Sequence, residues 1–338
     1  MTDGLRMPAE WEPHRSTWIS WPHNRDTWPG DFESVEPAYR EMVRALAASE
    51  PVDINVLNAA HRRHVAAVLD GIDGEIRLHE IPTNDAWCRD HGATFVRTSG
   101  GLAAVDFRYN AWGGKYPPFD LDQKVAAAMA SRVGAEHVSS DLYLEGGAIE
   151  VNGQGLLLTT ESCVLNANRN PDLDREEAEA ALNGLLGTSE VVWVSGDLAG
   201  DDTDGHIDNL ARFVTPEDVV MVVPGSPDDA EHAPLQDAFA ALEQDGLRLG
   251  FRVHRLPLPE PHYHTDADGV RHRLPASHAN FYIANRSVVI PAYGGPSDGQ
   301  AVDLLAGFFP DREMVLLDCR DIVWGLGAVH CLTQQVPA

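Results

Sequence analysis

The sequence predicts an α/β protein built by radial repetition, in which units of strand, strand, helix and strand close into a ring. Three observations predict it. The same order of elements recurs in successive stretches, the residues at the two ends supply the pieces of one further unit, and polar clusters stand just ahead of the hairpin in each stretch. Such a unit cannot bury its apolar faces alone, so repetition favours closure, and closure with both termini in one unit protects the sheet edges. The competing architecture is a doubly wound sheet, which needs a helix between every pair of strands. The repeated tight hairpins oppose it. The 338 residues, 43% of them hydrophobic, suffice for a large core.

Alternating apolar runs around short turns mark the hairpins, and amphipathic stretches of about a dozen residues mark the helices. A strand at 18–21, a helix at 34–48 and a strand at 52–57 open the chain and need a partner from around 329–333. The next unit has strands 94–96 and 103–107 around a Ser-Gly-Gly turn, a helix near 121–132 and a strand near His137. Another has strands 148–151 and 156–160 around Asn152-Gly153-Gln154-Gly155, a helix at 175–186 and a strand at 190–194. A third has strands 210–214 and 219–223, a helix at 234–244 and a strand at 251–256. A fourth has strands 281–284 and 288–291 around Asn285-Arg286, a helix at 299–308 and a strand at 314–317.

Acidic residues number 52 and basic ones 25, a formal net charge of −27. That argues against nucleic acid as a partner, because phosphates need basic surfaces. It suits the steering of a small cation into a negative cleft, and equally solubility or a saline host. No apolar run approaches the roughly 18–20 residues that cross a bilayer. The polar stretch 1–13 carries no export signal, and four dispersed cysteines read as reduced thiols, so a cytoplasmic location is expected.

The chemical residues fall at equivalent points of the units. They are Asn84 to Gly92, Leu144 to Gly147, Asp201 to Asn209, and Ser277-His278-Ala279-Asn280. The last cluster sits in the glycine-punctuated Gly325-Leu326-Gly327-Ala328-Val329-His330-Cys331. In a closed ring such positions converge, so Asp90, Glu145, His206, Asp208 and Cys331 can share one site. Each has a plainer reading: Cys331 as a small buried hydrophobe, His206 as a surface residue, Asp90 as the partner of Arg89, Glu145 as a turn residue, Trp87 as core. On an incipient strand, His206 and Asp208 would point to one face. Paired carboxylates bind a planar guanidinium through forked hydrogen bonds, a thiolate attacks its carbon, and a histidine moves the protons. Trp87 would stack on the cation. The pair His262 and His264, with His206 and Asp208, offers a metal-site alternative, although it sits in a Pro-rich loop. The Gly-rich pieces at 113–115 and 294–297 lack phosphate-loop spacing and read as turns.

These residues resemble the agmatine deiminases and their bacterial peptidylarginine-deiminase relatives. The likeness runs from Met7-Pro8-Ala9-Glu10-Trp11-Glu12-Pro13-His14, through 110–118 and Asp204 to Asn209, to His330-Cys331-Leu332-Thr333-Gln334-Gln335. The resemblance implies a five-bladed, pseudo-symmetric α/β propeller of ββαβ units. It would form one catalytic domain over 1–338, its ring closed by the terminal segments. It implies Cys331 as nucleophile, His206 as general acid and base, Asp90 and Asp208 as the guanidinium clamp, Glu145 as partner of His206 and of substrate, and Trp87 as a pocket wall. The implied reaction converts agmatine and water to N-carbamoylputrescine and ammonia, within putrescine biosynthesis. It uses no metal or organic cofactor and runs through a covalent Cys331 thiouronium. The implied enzyme is a cytoplasmic homodimer. Leu326 stands where the family more often has glycine, and Arg15 where an acidic residue often follows the histidine. The alternatives are deimination of another guanidine such as peptidyl arginine, a metal-dependent hydrolase, and a non-catalytic polyamine sensor.

Overall fold

The computed structural model describes residues 4–29, 32–265 and 269–338, so the first three residues of the polar N-terminal stretch lie outside it. The fold is mixed α/β. Four three-stranded sheets comprise Thr94–Thr98, Gly101–Arg108 and Glu136–Tyr143; Glu150–Val151, Leu156–Thr160 and Glu190–Val194; Ala211–Thr215, Asp218–Pro224 and Arg252–Leu258; and Tyr282–Ile283, Ser287–Ala292 and Glu313–Asp318. In each, the first two strands are antiparallel and the third runs parallel to the second. A parallel pair needs a crossover. The crossovers carry the helices Val125–Val133, Arg175–Leu186, His232–Leu249 and Pro296–Phe308.

A fourth strand distinguishes the remaining sheet, ordered Thr333–Pro337, His14–Ser20, Val52–Val56 and Ile76–Glu80. The C-terminal strand pairs antiparallel with the N-terminal one, as the sequence required, but through 333–337 rather than 329–333. The helices Phe32–Ala47 and Ala59–Val68 make its crossovers.

Local chemistry accounts for these elements. The middle strand Asp218–Pro224 is buried throughout, as a strand covered on both faces must be. Asp174 and Glu177 form a reciprocal capping box at the start of Arg175–Leu186. Gly187 ends that helix at φ +69°, where a Cβ would stand 2.0 Å from the Leu5 carbonyl oxygen.

Some expectations need correction. The strand expected at 148–151 shrinks to Glu150–Val151, because Gly146–Ala148 winds into a 3₁₀ turn. His206 and Asp208 lie on no strand: His206 is extended, and Ile207–Asn209 is another 3₁₀ turn. Cys331 lies on no strand either: it sits on the one-turn helix Val329–Leu332 and is 4% exposed. The helix Ala59–Val68 and strand Ile76–Glu80 escaped the sequence reading. The helix fully buries Val65 alone, and the strand is only half-buried, so neither carries a strong apolar period. The Pro-rich loop around His262 contains a small ribbon, Tyr263–Thr265 against Arg271–Arg273.

Each of the five sheets is entered through one short helical turn: Cys88–His91, Gly146–Ala148, Ile207–Asn209, His278–Asn280 and Val329–Leu332. These turns carry or flank the residues the sequence singled out. Among the described residues, no helix is long and apolar enough to cross a membrane.

Candidate active site

The turns meet around Gly147. A Cβ there would stand 2.5 Å from His206 Nδ1, 2.9 Å from Asp90 Oδ1 and 3.1 Å from Asp208 Oδ2. Only a glycine lets three ionisable side chains approach one another over this backbone. Asp90 Oδ1 accepts the Gly147 N–H at 3.1 Å, and its Oδ2 accepts Trp112 Nε1–H at 3.0 Å. Burial, opposed by the charge of His206, pushes the Asp90 carboxyl up to about 6.

His206 turns its two ring nitrogens to different partners. Nε2 stands 3.4 Å from Glu145 Oε2, while Nδ1 has no hydrogen-bond partner and lies 3.8 Å from Asp90 Oδ1. Burial alone pulls the imidazole down, but the Asp90 charge and the bonds to Cys163 and Glu145 carry it well above the ordinary histidine value. Burial would raise Glu145, yet its bond to His206 and the charge of Arg169 hold it below the usual range. Arg169 donates from Nε to Glu145 Oε1 at 2.7 Å and from Nη1 to Asp204 Oδ2 at 2.8 Å. It thereby ties Glu145 to the loop that delivers His206.

Cys331 Sγ lies 3.6 Å from Asp208 Oδ2. Burial, with the charges of Asp208 and Asp90, pushes the thiol well above its ordinary value. The glycines before it allow a close wall. A Cβ at Gly327 would stand 2.5 Å from Trp87 Cζ3, and one at Gly325 2.7 Å from Trp28 Nε1. Between them Leu326 takes the left-handed conformation, φ +69°. Trp87, Asp90, Trp112 and Cys331 line a cavity of about 620 Å³ whose more exposed side includes Tyr116 and Asp202.

Sequence reasoning missed the layer behind these groups. His330 Nδ1 pairs with Asp208 Oδ2 at 2.7 Å and its Nε2 with Glu10 Oε2 at 2.8 Å. Glu10 also meets Arg212 at 3.0 Å and Arg89 at 3.3 Å. Burial would raise Glu10, but these cations and His330 hold it well below the carboxylate range. Asp208 behaves alike: burial raises it, and the His330 bond with nearby positive charge prevails. The signal was present, since Glu10 and His330 belong to the segments that carry the family likeness.

Among the described residues, the potential metal ligands that cluster are Glu145, Cys163 and His206, their donor atoms within 4.8 Å of one another. His262 and His264 are not among them. The His262 ring lies 5.5 Å from Tyr293 and the His264 ring 4.9 Å from His272.

A buried thiol, a buried imidazole and buried carboxylates are gathered at these turns, and of them Asp90 and Cys331 reach the cavity. Residues 6–337 match the Porphyromonas-type peptidyl-arginine deiminase family, and the chain belongs to it. It is 39% identical to an agmatine deiminase of Pseudomonas aeruginosa, over 99% of this chain and 96% of the relative. Identity to that of Stutzerimonas stutzeri is 38% over the same shares. Among solved structures it resembles the agmatine deiminase of Enterococcus faecalis, with a TM-score of 0.89, 33% identity and 99% and 96% of the two chains covered. An agmatine deiminase of C. jejuni with substrate bound gives 0.89 at 29% identity and the same coverage.

Proposed function

We propose that this chain hydrolyses agmatine to N-carbamoylputrescine and ammonia. The observation that carries the reading is a set of buried polar atoms left without partners on one side of the site. His206 Nδ1 and Asp208 Oδ1 make no hydrogen bond, although both residues are fully buried. Buried polar groups are ordinarily satisfied, so an unsatisfied set calls for a ligand. A guanidinium, planar and cationic, supplies donors to Asp90 and Asp208 in the forked geometry carboxylates accept.

The chemistry then follows from charge. With the clamp carboxylates neutralised by substrate, the Cys331 thiolate becomes accessible. Sγ, its proton released to solvent, bonds to the guanidinium carbon, the carbon–nitrogen bond to one amino group breaks, and ammonia leaves with the proton that His206 gives up from Nδ1. Glu145 holds the other face of the ring and so keeps Nδ1 turned to the substrate. Water next attacks the thiouronium carbon, His206 takes its proton, and the carbon–sulfur bond breaks to return the thiol. Neither step calls for a metal or an organic cofactor. Trp87 forms the wall against which the guanidinium lies.

The same reading makes residues 1–338 one catalytic domain, a five-bladed propeller closed where the N- and C-terminal strands pair. Four sheets of one strand order, and a fifth that repeats it with one strand added, support it. It also makes the enzyme a cytoplasmic homodimer, which the native mass in solution tests. For the activity, ammonia release from agmatine, arginine and a peptide ending in arginine is measured for wild type and Cys331→Ala. The expected result is turnover of agmatine by wild type alone. Full activity in the variant, or preference for the peptide, would overturn the proposal.

A further inference from the structure

The proposed chemistry uses the Nδ1 side of His206. On the Nε2 side lies a second buried thiol that it does not use, Cys163. This residue sits on the short helix Glu161–Val164, just after the strand Leu156–Thr160, and has no exposed surface. Its Sγ stands 3.8 Å from Glu145 Oε2, the same oxygen that His206 Nε2 faces at 3.4 Å. The three donor atoms lie within 4.8 Å of one another. Arg169 Nε occupies the other oxygen, Glu145 Oε1, at 2.7 Å, so Oε2 is left to the thiol and the imidazole. An N–H donor ordinarily stands about 2.7–3.2 Å from its oxygen, so the 3.4 Å spacing is wide for a hydrogen bond. It suits a bridging ion. Tetrahedral zinc, with bonds of about 2.0–2.3 Å, holds nitrogen and oxygen ligands about 3.4 Å apart and sulfur and oxygen ligands about 3.6 Å apart.

We propose that Cys163, Glu145 and His206 form an inhibitory zinc site, with a water molecule as the fourth ligand. A thiolate, an imidazole and one carboxylate oxygen make a donor set for zinc, whereas magnesium and calcium take oxygen ligands. Binding exchanges two protons, one from Cys163 Sγ and one from His206 Nε2, for one divalent ion. The net charge of this buried cluster is then unchanged, which removes much of the cost of placing a cation there. Zinc on Nε2 fixes His206 as the neutral ring with its proton on Nδ1. A ring so held no longer cycles between imidazolium and imidazole, and the proton transfers stop. The inhibition rests on the deiminase reading; the metal site itself does not.

Two readouts test the site. Chelator-stripped enzyme is incubated with buffered free zinc, or with magnesium as the control, and assayed with agmatine. Separately, cobalt(II) is titrated in, and the near-ultraviolet absorption of a cobalt–thiolate bond reports ligation by sulfur. Zinc should inhibit wild type, magnesium should not, and chelator should restore the rate. Cys163→Ala, compared with its own metal-free rate, should need more than about 10²-fold more zinc for half inhibition, since losing even a supporting partner of a ligand costs 10–100-fold in affinity. Cys163→Ser keeps the side chain's size and loses the soft donor, so it should match the alanine variant. The cobalt band should persist in Cys331→Ala and vanish in Cys163→Ala. Equal zinc sensitivity of wild type and both Cys163 variants would overturn the proposal, and so would a cobalt band that disappears with Cys331. The band needs neither substrate nor turnover. A wild type that fails to turn over agmatine therefore defeats the activity assignment alone, and the band still decides whether Cys163 holds the metal.

Discussion

Two buried histidines belong to the proposed site, and they are built in opposite ways. His330 is closed: both ring nitrogens have partners, Asp208 at 2.7 Å and Glu10 at 2.8 Å. Burial, then the charges of Arg212 and Arg89, hold it below the ordinary histidine value. His206 is open: one nitrogen faces Glu145 and the other faces no partner. Asp90, with bonds to Cys163 and Glu145, carries it above that value against burial. Both lie within 1% exposure. Burial and carboxylate neighbours alone therefore do not separate a reactive histidine from a bracing one. An unsatisfied ring nitrogen does, because it is the atom left free to exchange a proton with a ligand.

The contrast is broken or sharpened by substitution. His206→Asn carries the largest expected effect, a loss of about 10²–10⁴-fold in kcat, the range for one general acid and base. Its melting temperature should stay close to that of wild type. Glu145→Gln comes next. It frees the ring and lets His206 lose its proton at lower pH, so kcat should fall and the basic limb of its pH profile should move to lower pH. His330→Ala should do the reverse of His206→Asn. It leaves two buried carboxylates short of a partner, which costs about 1–3 kcal/mol of stability. Thermal melts read that loss, and kcat should fall less than in His206→Asn. Equal losses of kcat in the two histidine variants would erase the distinction.

The smallest effect is a matter of pH. Asp90, raised to about 6 by burial, gives up its charge as the pH falls through that value. Half of the guanidinium clamp is then neutral, so kcat/KM with agmatine should decline below about pH 6, since this limb reports the free enzyme. A flat profile across that range would show that Asp90 stays ionised, and the clamp would then rest on different electrostatics.

The sequence made the open side legible and left the closed side dark. Asp90, Glu145, His206, Asp208 and Cys331 stand at equivalent points of a repeat, and the repeat says that such points converge. Glu10 lies 320 positions from His330 and outside the repeated turns. Their pairing depends on how the terminal strands come together. Arg169 and Arg212 were silent for a related reason. A buried arginine looks like any surface arginine until its carboxylate partners are placed, here Glu145 for one and Glu10 with Glu150 for the other. The short turns misled for a local reason. Apolar residues around 148 and 207 read as strand, but the chain winds there to aim its polar neighbours inward. The glycines at 325 and 327 show in the sequence only as punctuation of the last cluster, and their further use, admitting the Trp28 and Trp87 rings, depends on the fold.

On the proposed mechanism Cys331, on the open side of the site, forms a covalent bond to the guanidinium carbon. Rapid acid quenching of wild-type enzyme during turnover of agmatine, followed by intact and peptide mass measurement, tests it most directly. The predicted result is an increment equal to agmatine less ammonia, mapped to the peptide that carries Cys331. Sustained turnover with Cys331 unmodified in every quenched sample, or the increment on Cys163 instead, would contradict it.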